Sequence, residues 1–304
     1  MFKFKKKISV SPIKLVIFLV LLVYSVALMY MVFWGFFTSL KTEHSYMYDK
    51  GNPLNFLPAG GFSALEWSNY KVVYESFQIR IVKTAMIYDF WGLLTNSIFY
   101  AVVSSLLAAA VPFVVSYITA KYNYAYCKVI NTMVIVLIAL PIIGSTAPTI
   151  RVLNDLGIFD THFSIIVLHL NFINTYYLIY YASWKGIPNE YREAAEIDGA
   201  SEYAIFFKIM CPMMYKMYLT IFLILFVGLW NDYSFSLLYT PSLPVLAFAV
   251  QQLSAIGMKV GNVDTRIPPI ALAASMMLLL PILILFIAFH DRLMGNLSMG
   301  GLKE

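Results

Sequence analysis

Long stretches without a single charged side chain constrain this chain more than any other feature. Leu15 to Phe37 is the first, and as a helix rising ~1.5 Å per residue it covers about 35 Å, enough to cross a bilayer with some tilt. Gly92 to Ala120, Val129 to Ile150, Phe163 to Trp184 and Ile267 to Phe289 are equally free of Asp, Glu, Lys and Arg. A sixth begins at Met217, meets Asp232, and is read as ending near Leu238. The prolines at 241 and 244 then break the chain before an interfacial or re-entrant segment around Val245 to Leu253. Six spans are expected, and they must be helical. A lone strand or loop in lipid leaves amide and carbonyl groups unpaired at several kcal/mol each.

Composition agrees with a membrane bundle. Only 12% of residues are charged and 61% are hydrophobic, against roughly a quarter charged in a soluble domain. The net charge of +5 does not make a nucleic-acid binder, because the basic residues sit in short stretches between apolar blocks and form no stripe. A signal peptide is the competing reading of the first block, after Lys3, Lys5, Lys6 and Lys7, but the run is too long and no small-residue cleavage site follows.

Orientation follows from Lys and Arg. With the N-terminus inside, the inner segments hold thirteen and the short outer ones three, namely Arg151, Lys259 and Arg266. Both termini are therefore expected to face the cytoplasm. The layout is a cytoplasmic segment 1–14, a first helix 15–40, an external loop 41–91, a five-helix core 92–290 and a cytoplasmic tail 291–304. Cys127 and Cys211 fall on the reducing side and read as packing residues.

One inner loop, 185–212, is long enough to make contacts of its own. Pro188 suits a first helical position, Gly199 the left-handed residue that ends a helix, and Ser201 the cap of the next. Ile205, Phe206, Ile209 and Met210 recur at helical spacing, and Pro212 marks a break before the fifth span. A helical hairpin along the membrane surface is predicted, presenting the small residues Ala194, Ala195 and Gly199 outward. On local chemistry alone, a merely solvated amphipathic loop is as good a reading.

The run Glu193-Ala194-Ala195, then Asp198-Gly199-Ala200-Ser201, then Ile209 and Cys211-Pro212, resembles the EAA loop of the permeases of bacterial ATP-binding-cassette importers. Cys211 stands where that family usually has leucine. Ser39-Leu40-Lys41, Asn69-Tyr70, Pro188, Trp230-Asn231-Asp232-Tyr233 and the tail from Gly295 to Lys303 are similar to the carbohydrate subgroup, that of the smaller maltose permease subunit. Phe235 and Ser236 depart from it, where tryptophan and proline are common. The resemblance implies an all-α, six-helix permease of the type I importer fold. It also implies an ATPase-coupling role for Glu193, Ala194, Ala195, Asp198, Gly199 and Pro212. The expected partners are a second homologous permease, two ATPase subunits carrying ATP and Mg, an extracellular solute-binding protein and a carbohydrate.

Trp230, Asn231 and Asp232 combine an aromatic plate, an amide and the sole carboxylate inside a span, groups that suit sugar hydroxyls. An interfacial tryptophan and a span-ending aspartate are an equal alternative. Asn96, Ser104, Ser105, His169, Asn171 and Asn174 read as interhelical hydrogen-bond partners. There is no GxxxxGK[ST] phosphate loop, nucleophile triad or metal-ligand cluster, so the chain is not expected to be an enzyme or to hold a cofactor. Energy then comes from a partner or an ion gradient. An ion-coupled secondary transporter is the rival, and it is disfavoured by spans whose only ionisable side chains are Asp232 and His169.

Overall fold

The structure is a computed structural model and describes residues 12–49, 52, 54–58, 60–81, 85–140, 144–257, 259–260 and 263–297. The basic residues before Pro12 and the end of the tail motif, through Lys303, lie outside these. Among the described residues the architecture is all-α apart from two short hairpins. In order it runs α1 Pro12–Ser39, α2 Glu43–Tyr48, a 3-10 turn Gly61–Ala64, α3 Ser68–Ser76, β1 Ile79–Arg80 and β2 Ile87–Tyr88. There follow α4 Phe90–Lys121, α5 Ala125–Ala139, α6 Thr146–Asp155, α7 His162–His169, α8 Thr175–Gly186 and α9 Glu190–Ile197. The remainder is α10 Glu202–Ala204, a π turn Ile205–Met210, α11 Cys211–Trp230, α12 Ser234–Leu238, α13 Leu246–Ala255, β3 Lys259–Val260, β4 Val263–Asp264 and α14 Pro268–Leu297. The antiparallel pairs register Ile79 with Tyr88 and Lys259 with Asp264.

Among the described residues, four helical segments are long and apolar enough to cross a membrane: Pro12–Ser39, Phe90–Lys121, Glu202–Trp230 and Pro268–Phe289. The third and fourth expected spans are not continuous helices. The third divides into α5 and α6, as the sequence Leu140-Pro141 disfavours helix at the residue before proline. The fourth divides at residues 170–174, where the Asn174 side chain accepts the Tyr177 N–H (3.2 Å) and starts α8 anew. The fifth ends at Trp230, before the expected Leu238, and α12 follows as a separate turn.

The chain forms two compact units. The first comprises residues 1–76 and 253–277. Here Lys41, 2% exposed, donates to Asp49 Oδ2 (2.9 Å) and to the Asn55 carbonyl (2.6 Å). Asn69 Nδ2 donates to the carbonyls of Ser39 (2.8 Å) and Lys41 (2.9 Å), tying α3 to the end of α1. The apolar side chains from Ile13 to Phe33 on α1 are exposed within the unit, as befits a helix whose neighbour is lipid.

The second unit, residues 77–252 and 278–304, is built on α4, which packs against α8 and α11. Its core is aromatic. Trp184 is fully buried, its ring 4.9 Å from Phe113 and 5.1 Å from Tyr117, and its indole N–H donates to the Phe113 carbonyl (3.2 Å). Such a tryptophan brings large apolar area and still satisfies its one polar atom. The interfacial segment expected at 245–253 is α13, with Leu246 and Leu253 buried. Ser97 Oγ accepts the Leu246 N–H (2.6 Å), and Asn96 Nδ2 donates to the Pro244 carbonyl (3.0 Å), so Asn96 does bond between elements.

Candidate functional site

The loop at 185–212 folds as a hairpin whose turn is fixed by backbone chemistry. Gly199 has φ +76°, its N–H donates to the Glu196 carbonyl (3.0 Å), and the Ala200 N–H donates to Ala195 (3.0 Å). These two bonds form a Schellman end for α9, which favours glycine because a Cβ is strained at positive φ. No neighbouring atom lies within 4 Å of where that Cβ would sit, so conformation and not crowding within the chain requires the glycine. Ser201 then caps α10, its Oγ accepting the Ala204 N–H (3.3 Å).

The hairpin is held to the membrane helices at three points. Lys121, at the end of α4, donates to the Ile187 carbonyl (2.5 Å) and to Asn189 Oδ1 (3.1 Å). This engages Asn189, so although it occupies the N-cap of α9 its side chain makes no cap bond. Pro188 accordingly precedes the helix instead of opening it. Arg192 pairs with Glu196 and Glu202, and its guanidinium lies 4.9 Å over the Tyr122 ring, whose hydroxyl also donates to Glu202. Finally Ala195, Ile205 and Met210 are buried in the Trp184 cluster, and Phe206 packs 4.8 Å from Tyr117. The i,i+4 spacing of Arg192 and Glu196 is legible in the sequence, but the Lys121 contacts and those of Arg192 with Glu202 and Tyr122 are not, since those partners lie on other elements.

Glu193, Ala194, Asp198, Gly199 and Pro212 are exposed. Ala195 is not presented outward as expected. At 6% exposed it seats α9 on the core, because α9 turns it about 100° away from Ala194. Nor does Pro212 break the helix. It lacks the N–H that would bond Lys208, and the helix widens instead, with the Cys211 N–H donating five residues back to Phe206. The segment Glu202–Trp230 therefore runs continuously from the hairpin into the membrane.

The second candidate cluster is arranged differently from expectation. Trp230 is 3% exposed, stacks on Phe226 (5.8 Å) and donates its indole N–H to the Leu278 carbonyl (3.0 Å), so it offers no free aromatic plate. Asn231 is exposed and donates to the Val227 carbonyl (2.9 Å). Asp232 Oδ1 accepts the Ser234 N–H (2.9 Å), while Oδ2 accepts the Tyr100 hydroxyl (3.0 Å). Around that bond Tyr100 stacks on Phe235 (4.9 Å), and His169 lies 5.7 Å from Tyr100 and 5.1 Å from Phe235. The carboxylate thus joins a Tyr100–His169–Phe235 group drawn from three helical segments. Only the fold brings these together.

Known proteins resemble the chain over a large part of its length. Residues 112–295 match the family described as "Binding-protein-dependent transport system inner membrane component". The melibiose/raffinose/stachyose import permease protein MelC of Bacillus subtilis (strain 168) is 28% identical, over 66% of this chain and 71% of its own. The arabinooligosaccharides transport system permease protein AraQ of Halalkalibacterium halodurans is 27% identical, over 70% of this chain and 75% of its own. The crystal structure of a bacterial ABC transporter involved in the import of the acidic polysaccharide alginate has a chain that superposes with TM-score 0.69. At 18% identity, covering 95% of this chain and 99% of that one, it shows a shared fold. The family match takes in the end of α4 with Phe113 and Tyr117, the hairpin, and Asp232 with His169 and Phe235, and on that ground the chain belongs to the family of binding-protein-dependent transport system inner membrane components, as a multi-pass transport permease.

Proposed function

We propose that this chain is the membrane-spanning subunit of an ATP-driven importer in a bacterial cell membrane, translocating a sugar or oligosaccharide delivered by an extracellular binding protein. The observation that carries the reading is the glycine-ended hairpin, which exposes Glu193, Ala194, Asp198 and Gly199 yet is continuous with α11 and anchored on α4. Such an element can receive a push from outside the membrane and pass it to a span. Small residues permit close backbone approach, and Glu193 suits a partner arginine. The force comes from two ATPase subunits binding ATP and Mg, and a second homologous permease completes the pathway. An ion-coupled carrier, the rival that the sequence left open, is not the family to which the chain belongs.

In this reading α5 with α6, and α7 with α8, complete six crossings, and both termini and the hairpin face the cytoplasm. The 1–14, 15–40, 41–91, 92–290 and 291–304 layout follows. The carbohydrate assignment rests on the substrates in the names of MelC and AraQ. In this chain the Tyr100–Asp232 pair and Asn231 are the polar groups best suited to line the path, with Trp230 a support behind them. Gentle purification followed by identification of co-purifying proteins tests the assignment. Recovery of an ATPase subunit and a second permease is expected, and solute accumulation by vesicles lacking any ATPase would refute it.

A further inference from the structure

At the end of α4 the second unit contains a polar cleft of about 500 Å³, bordered on one side by the Lys121–Asn189 anchor of the hairpin. Lys121, Lys128, Lys185, Asn131 and Asn189 line it. None of the three lysines forms an ion pair with a carboxylate among the described residues. Lys121 is spoken for by neutral oxygens, Lys128 is exposed in the first turn of α5, and Lys185 lies 5.7 Å over the Tyr181 ring. Helix α5 starts nearby without a side-chain cap, so the positive end of its dipole lies near Lys128. The Arg192 charge nearby is already met by Glu196 and Glu202, and Glu190 is the remaining acidic group in electrostatic reach of Lys121. Positive charge in this cleft therefore exceeds negative. Three ammonium groups and the side-chain amides of Asn131 and Asn189 lining one space are the chemistry of a phosphate site.

A free anion and a lipid headgroup share that chemistry, and the surroundings choose between them. Immediately beyond Lys128, Val129, Met133 and Val136 form an exposed apolar stripe at i, i+4 and i+7 down α5. We propose that the cleft binds the phosphate-bearing headgroup of an anionic phospholipid, of the phosphatidylglycerol or cardiolipin class, with an acyl chain lying along that stripe. Basic pockets at the ends of spanning helices take such headgroups. The site rests on the chain spanning a bilayer, and on neither the sugar nor the ATPase assignment.

The test uses the complete transporter purified from membranes, held in nanodiscs of phosphatidylcholine and phosphatidylglycerol, with retained lipid measured by native mass spectrometry after detergent exchange. The wild type is expected to retain phosphatidylglycerol over phosphatidylcholine. Lys128→Gln with Lys185→Gln, both at exposed positions, is expected to lower that enrichment about tenfold, equivalent to one charge-assisted contact. Lys208→Gln with Lys216→Gln removes the same charge elsewhere, in the π turn and the first turns of α11, and is expected to leave the enrichment unchanged. Equal retention by the first double variant, or equal loss in the second, overturns the proposal. Stripping of the lipid by millimolar inorganic phosphate overturns the lipid assignment in favour of a soluble anion. Lost ATPase co-purification with unaltered lipid overturns it in favour of an acidic protein partner.

Discussion

Lys41 and Asp49 illustrate how a single pair holds a loop in a chain with few charges. Their side chains are 2% and 7% exposed, and the Lys41 ammonium, hydrogen-bonded to the carboxylate, holds Asp49 below the usual carboxylate range against the opposing effect of burial. An unfolded Asp49 binds a proton more readily than the native one, so the pair's contribution is complete above the ordinary aspartate range near ~3.9. It is lost as pH falls through the lower native value. Asp49→Asn leaves a buried ammonium without its counter-charge, at a cost of about 3 kcal/mol. Thermal unfolding of the two proteins between neutral and acidic pH should converge only at the acid end. Gly199 is the other residue with a sharp prediction. Gly199→Val puts a branched side chain at φ +76°, costing about 1–2 kcal/mol, and thickens the exposed tip of the hairpin. The variant should insert and assemble while ATP hydrolysis no longer drives uptake. Transport at the wild-type rate in a well-expressed variant would count against the coupling role. The turn was legible in the sequence because glycine's conformational freedom is local. The Arg192 bridge to Glu202 and Tyr122 was not, because it joins residues brought together by the fold.

Among the elements, the π turn Ile205–Met210 departs most from periodicity, which predicts ordinary helix there. One missing N–H at Pro212 explains it. Pro212→Ala restores that donor, and rewinding to an α-helix would rotate the hairpin by about 100° relative to α11. Hydrogen exchange should then show greater protection across 205–210, with uptake reduced about tenfold or more, whereas unchanged protection would mean that the widening has another cause. Helix α8 carries a second prediction. Trp184→Ala empties the centre of the aromatic cluster beneath the hairpin, a change that costs about 3–5 kcal/mol when the surroundings do not collapse. Proteolysis at 190–200 should accelerate before the rest of the second unit is cut.

At the scale of the whole molecule, the charge-free blocks at 15–37, 92–120 and 267–289 each contain a helix, because lipid leaves the backbone no other way to satisfy its polar groups. The same argument allows helices to break where a side chain such as Asn174 supplies an alternative partner or where a following proline disfavours helix, as at Leu140, which is why two expected spans are divided. A composition rule averages over such single residues. The sequence by itself determined the solvent, the helical class, the glycine turn and the family likeness, since these depend on hydropathy, local backbone preference and motif spacing. Tertiary structure alone decided that Ala195 and Trp230 point inward, that Asp232 meets Tyr100 beside His169, and that three lysines share one cleft. Those facts depend on which faces of separate helices meet. Contacts across sequence separations of dozens of residues leave no periodic trace in a single chain.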